Sequence, residues 1–142
     1  MLPNGEIKVI DFGESKDLFR DDDAGGSAAT ATIRGTPQYL SPLLWKAHVV
    51  DGNSRFAKHN IYKSDVFSVG LLFFQLAAMD DVTGFNQKSQ EYDGEKLIAA
   101  GVQRLKTRYS GTFSDVISQM LMFRENERPS FIELSKMVMP QN

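Results

Sequence analysis

The stretch from Val66 to Met79 constrains the fold more than any other part of this chain. Placed on a helix, Phe67, Leu71, Phe74 and Ala78 occupy one side, and Val69, Leu72, Phe73 and Leu76 fill the rest. A helix apolar on every face belongs in the middle of a domain, with other helices packed around it. The run is too short to cross a bilayer and is broken by Ser68, Gly70 and Gln75, so no membrane partner is expected. Ser64 offers an N-cap and Asp65 an acidic first turn, which predicts a central helix from about residue 64 to 79.

Further helices are expected over about 94–139. Gly94 to Ala100 reads as a short helix ended by Gly101. Thr112-Phe113-Ser114-Asp115 resembles a capping box, followed by Val116, Ile117, Met120 and Leu121 at helical spacing. Ser130-Phe131-Ile132-Glu133 is a better capping box, with Pro129 ahead of it and Leu134, Met137 and Val138 after it. At the front, Asn4-Gly5 is a turn signal and Ile7 to Ile10 favours a short strand. Residues 17–34, with Asp21-Asp22-Asp23 and a run of Gly, Ala, Ser and Thr, read as an irregular loop. Residues 80–93 read as a polar connection. The expectation is one mainly α unit with a single short strand element near its N-terminus and no internal domain boundary.

Bulk properties exclude several classes of function. The 142 residues carry a net charge of -2, which gives no reason to propose nucleic acid as a partner. There is no cysteine, so disulfides and thiolate metal sites are excluded, as suits a reducing, cytoplasmic setting. Residues 1–6 lack the basic-then-apolar pattern of a signal peptide. His48 and His59 have no ligand-spaced partners and are expected to be solvent-exposed.

Four segments then stand in a fixed order: Asp11-Phe12-Gly13, Gly35-Thr36-Pro37-Gln38-Tyr39-Leu40-Ser41-Pro42, Lys63-Ser64-Asp65-Val66-Phe67-Ser68-Val69-Gly70, and Arg128-Pro129-Ser130-Phe131. Each alone is weak, but together they resemble the second half of a protein kinase domain, from Asp-Phe-Gly onward. The resemblance implies a C-terminal lobe, with a strand and the Asp-Phe-Gly turn at 7–13 and an activation loop at 14–43. It implies ATP and Mg2+ as cofactors, with Asp11 as metal ligand and Phe12 and Gly13 beside it in the nucleotide site. Gly35, Thr36, Pro37 and Tyr39 take the place of the loop that receives a protein substrate, and Thr36 points to Ser/Thr rather than Tyr. Thr32 matches a regulatory phosphorylation site, with Lys16 as the basic residue that would pair with the phosphate. Ser27 and Thr30 are lesser candidates. Asp65 resembles the aspartate that braces the catalytic loop, although here it would serve as a helix cap if that loop is absent.

Two departures matter. Leu43 stands where the family carries the glutamate that pairs with the arginine matched by Arg128. A buried guanidinium stripped of its carboxylate is costly, so Arg128 must find another acceptor, stay hydrated or bond to backbone carbonyls. In addition, residues 1–142 contain no glycine-rich phosphate loop, strand lysine, paired helix glutamate or His-Arg-Asp-type catalytic loop. Phosphoryl transfer depends on positioning and charge stabilisation, so no catalytic residue is assigned and the chain alone is expected to be inactive. The expected identity is part of a Ser/Thr protein kinase. The alternatives are a non-catalytic, kinase-derived binding module, or half of a split kinase completed by a missing N-terminal half.

Overall fold

The computed structural model describes residues 5–15, 28–30, 33–53 and 57–139. Its centre is α2, Ile61–Ala78, and three further helices gather against it: α3, Gly94–Lys106, α4, Gly111–Met120, and α5, Phe131–Val138. A 3-10 turn at Pro37–Tyr39 and a short helix α1, Pro42–Trp45, precede them, and α1 runs on into a wider turn over Lys46–Val50. Two three-residue strands, β1 (Ala28–Thr30) and β2 (Lys58–Asn60), pair antiparallel with Ala29 opposite His59. The fold is mainly α, as the sequence implies. The short strand element lies elsewhere than at Ile7–Ile10, which forms no strand and leaves Ile7, Val9 and Ile10 exposed. Among the described residues that run has no partner strand, and an isolated strand cannot satisfy its backbone groups.

The central helix begins three residues before Ser64. Asn60, the last residue of β2, is its N-cap and accepts a hydrogen bond from the Lys63 N–H at 3.1 Å. Ser64 is instead buried inside the helix, where its Oγ accepts from the Ser41 hydroxyl at 3.2 Å. Met79 ends the helix in the left-handed region, its N–H bonded to the Gln75 carbonyl. At 18 residues α2 does reach the length and mean hydropathy of a membrane span. Its contacts with α3, α4 and α5 make it a core helix by packing.

Glycine behaves differently from the expectation in α3. Gly101 does not end that helix but sits inside it, where an added Cβ would run into the ring of Phe74. Its small size is used for close approach of α3 to α2. Gly70 plays the same part for α4, since a Cβ there would lie 2.8 Å from the Cβ of Met120. The N-cap of α4 is Ser110 rather than Thr112, accepting from the Phe113 N–H, while the Ser130–Glu133 capping box of α5 forms in full.

The main core joins Phe67, Leu71 and Phe74 of α2 to Val82 and Phe85, to Ile98, Val102 and Leu105 of α3, and to Ile117 and Leu121. Val66, Met120 and Leu134 form a second cluster under α5. A third, made of Ile33, Leu40, Leu44 and Ala57, seats the loop that leads into α1. Among the described residues nothing covers the opposite side of α2, where Leu72, Phe73 and Leu76 are between 40% and 60% exposed.

Candidate functional site

The segment Gly35–Pro42 is the best-built candidate. Gly35 has φ +113, a backbone conformation that only glycine adopts without strain, and this bends the chain into the Pro37–Tyr39 turn. Pro37 at the first position of that turn has no N–H to satisfy. The turn is then clamped from two sides. From α2, the Ser68 hydroxyl donates to the Tyr39 carbonyl at 2.8 Å and the Tyr39 hydroxyl donates to Gln75 Oε1 at 2.8 Å. From the loop after α2, the Asn86 side-chain amide donates to the carbonyls of Pro37 (2.9 Å), Gln38 (3.3 Å) and Leu40 (2.8 Å). Asp81 Oδ1 accepts from the Gln38 side-chain amide at 2.8 Å while also accepting from the N–H groups of Val82 and Thr83. The Thr83 side chain first, and then these N–H and amide donors, hold the Asp81 pKa below its ordinary value.

Thr36 precedes the turn with an exposed side chain and makes no capping hydrogen bond of its own. Thr36 is thus an exposed residue joined to the clamped turn, its carbonyl accepting from the Tyr39 N–H. Tyr39, grouped with Gly35, Thr36 and Pro37 in the sequence reading, is brought beside them but turned inward as an anchor.

Asp11 lies apart, in the exposed segment 5–15. Its φ of 66 places it in the left-handed region, which an aspartate tolerates better than most residues. One carboxylate oxygen accepts weakly from the Gly13 N–H at 3.4 Å, and the Ser15 N–H closes a turn on the Phe12 carbonyl. A hard oxygen ligand of this kind suits Mg2+. Among the described residues no group of three His, Cys, Asp or Glu side chains could hold a metal ion, so Asp11 fits as one ligand and not as a complete site. Phe12 is exposed. Lys16 and Thr32 lie outside the described residues, as does Ser27.

Asp65 does not cap α2. It stands in the second turn, on the uncovered side, with its carboxylate pKa raised by partial burial and pulled back by nearby His59. His59 itself is buried, against the expectation of exposure, because β2 carries it inward and its Nδ1 bonds the Ala57 carbonyl at 2.8 Å. His48 is half-buried rather than free in solvent.

Arg128 is buried and resolves the question left by Leu43. Its Nε donates to the Met122 carbonyl at 2.9 Å, and its terminal nitrogens donate to the carbonyls of Lys63 (2.7 Å) and Phe123 (3.2 Å). The guanidinium also lies 4.8 Å over the Phe67 ring. Burial pulls its pKa down to about 10, and the neighbouring Glu125 carboxylate opposes that shift. Leu43, on α1, is partly exposed and supplies no charge, so backbone carbonyls hold the guanidinium where a carboxylate at 43 would, and Glu125 contributes through its charge. Glu125 in turn accepts from the Asn60 N–H at 2.9 Å, tying this arginine site to the cap of α2.

Asn86 and Asp81 escape a reading of the sequence because residues 80–93 look polar throughout. The available signal is Val82 and Phe85, three apart in that stretch, both buried in the main core.

Known proteins give the same picture. A family model described as "Protein kinase domain" matches residues 1–139. Serine/threonine-protein kinase Nek2 of Mus musculus is 33% identical over 129 residues, covering 90% of this chain and 25% of the relative. Serine/threonine-protein kinase Nek3 of Oryza sativa subsp. japonica is 31% identical over 130 residues, covering 92% and 19%. Serine/threonine-protein kinase Nek11 of Homo sapiens is 28% identical over 136 residues, covering 95% and 18%. The chain spans about a quarter or less of the length of these relatives.

Proposed function

Because the chain belongs to the protein kinase domain family, we propose that it forms the substrate-receiving, mainly helical part of a protein serine/threonine kinase. The complete enzyme would transfer the γ-phosphate of ATP to a Ser or Thr hydroxyl of a protein substrate. The observation that carries this reading is the clamped Gly35–Pro42 loop with the Thr36 hydroxyl left open beside it. A rigid backbone edge next to an unengaged hydroxyl can align an extended peptide without reorganising on binding. The relatives, named as serine/threonine kinases, support the choice of hydroxyl.

ATP with Mg2+ supplies the phosphoryl group and the charge neutralisation it needs; this chain contributes Asp11 as one oxygen ligand. Phe12 and Gly13 belong to the turn that follows Asp11, and the Gly13 N–H reaches back to its carboxylate. Residues 1–142 carry no recognisable motif for the remaining ligands or the base, which the complete enzyme would need. The uncovered side of α2 supports that requirement. Asp65, Leu72 and Leu76 lie along it at helical spacing with Phe73 beside them, an apolar seat with a carboxylate at one end. A catalytic-loop segment seated there would place its backbone N–H groups within reach of Asp65. Regulation by phosphate on Thr32, paired with Lys16, and a cytoplasmic setting belong to the same proposal and rest on the family resemblance.

A fusion tests the reading. Residues 1–142 replace the matched segment of the mouse Nek2 relative, and transfer to Ser, Thr and Tyr peptides is measured. The expected result is transfer to Ser and Thr peptides that is lost with Asp11→Asn. Transfer to Tyr peptides alone, or transfer indifferent to Asp11→Asn, contradicts it.

A further inference from the structure

Asn86 is almost fully buried, at 1% exposure, in a loop whose other buried residues are apolar. Its side-chain nitrogen reaches three carbonyls of a single turn, while its Oδ1 has no partner among the described residues. Two of those carbonyls, of Gln38 and Leu40, lie at the C-terminal end of the Pro37–Tyr39 helical turn, where backbone acceptors run out of helical donors. An amide can donate twice, so the three acceptors share two hydrogens and the group has one workable orientation. Rotating it would aim oxygen at three oxygens.

The loop carrying Asn86 is itself fixed. Phe85 packs on Phe74 with ring centroids 5.0 Å apart, and the Gln87 N–H and carbonyl are both bonded, to the Gly84 carbonyl and the Gly94 N–H. The exposed Gln38–Asp81 contact beside it is a weaker second strut.

We infer that Asn86 is a positioning residue for substrate: its amide sets the conformation of the Thr36–Leu40 backbone that receives the peptide. The inference deepens the proposed function and rests on the reading of Gly35–Pro42 as the substrate-receiving loop. The chemistry demands a donor. Aspartate has nearly the same shape but presents only acceptors when ionised, so Asn86→Asp turns attraction into repulsion at unchanged volume. Asn86→Ser keeps one hydroxyl donor on a shorter arm.

Amide hydrogen exchange on the full 142-residue chain reads this directly. Asn86→Asp should speed exchange at Tyr39 and Leu40, whose N–H groups close the turn, by about tenfold or more, with Val102 and Leu105 in α3 unchanged. Asn86→Ser should give a smaller change in the same place, and Gln38→Ala the smallest. Unchanged exchange at Tyr39 and Leu40 in both Asn86 variants overturns the inference. Faster exchange throughout the chain in both variants also overturns it, by making Asn86 a general core residue. In the Nek2 fusion, Asn86→Asp should raise the KM for a Ser peptide and leave the KM for ATP unchanged; an unchanged peptide KM overturns the substrate role. An inactive parent fusion counts against the proposed function, and the exchange result still decides what Asn86 does to the loop.

Discussion

The two sides of α2 have nearly the same composition and opposite surroundings. On one side Val66, Phe67, Gly70, Leu71 and Phe74 are buried under α3, α4 and α5, and glycine is used so that neighbouring backbones can come close. On the other, Leu72, Phe73 and Leu76 meet solvent, and Asp65 stands beside them with its carboxylate pKa raised by partial burial. Contiguous apolar exposure of this kind is what the proposed docking of further polypeptide requires. The difference teaches that apolarity sets which residues are able to pack, while the rest of the polypeptide decides which of them do.

Substitutions across the helix should separate the sides most clearly. Phe74→Ala removes a ring from the main core and should cost about 3–5 kcal/mol, whereas Leu76→Ala should stay within about 0.5 kcal/mol in the isolated chain. Urea unfolding midpoints measure both, and equal losses at the two positions would break the comparison. Gly70→Ala comes next. The new methyl meets Met120 across the α2–α4 contact, which should cost about 1–3 kcal/mol despite the better helix propensity of alanine. A stabilised Gly70→Ala chain would mean that α4 is not held so close. Leu72→Gln combined with Leu76→Gln should weaken binding of a hydrophobic-surface dye and self-association, with little change in the urea midpoint.

The smallest effect is electrostatic. Asp65 has a raised pKa in the folded chain, so the folded state binds more protons than the unfolded state above the ordinary carboxylate value of 3.8. Stability from this group therefore falls as pH rises through that region. Asp65→Asn should make the chain slightly more stable at neutral pH, with the gain disappearing below about pH 4. A loss of stability at neutral pH would show Asp65 already engaged by a favourable partner.

Much of this was legible in the sequence, for identifiable reasons. The existence of α2 follows from fourteen nearly unbroken helix-compatible apolar residues, and the α5 cap follows from Ser130 and Glu133 at the right spacing. Arg128 was legible as a buried guanidinium short of its usual carboxylate, and backbone carbonyls answer that need. The start of α2 was not legible, because Ser64-Asp65 imitates a cap while Asn60 is disguised as the end of a strand. Gly101 misled because helix ends and close helix contacts both call for glycine. Asn86 stayed hidden because its role depends on carbonyls almost fifty residues away in the chain, which no local pattern encodes.

In the proposed function, polypeptide bearing a catalytic loop seats on the uncovered side of α2. This seating is tested by measuring ATP-dependent phosphorylation of a Ser/Thr peptide by residues 1–142, alone and mixed with a second polypeptide that carries the glycine-rich loop, strand lysine, helix glutamate and catalytic loop of the Nek2 relative. The account predicts no transfer by either part alone and transfer by the mixture, abolished by Asp11→Asn or by Leu72→Gln with Leu76→Gln. Transfer by residues 1–142 alone that disappears with Asp11→Asn would contradict it.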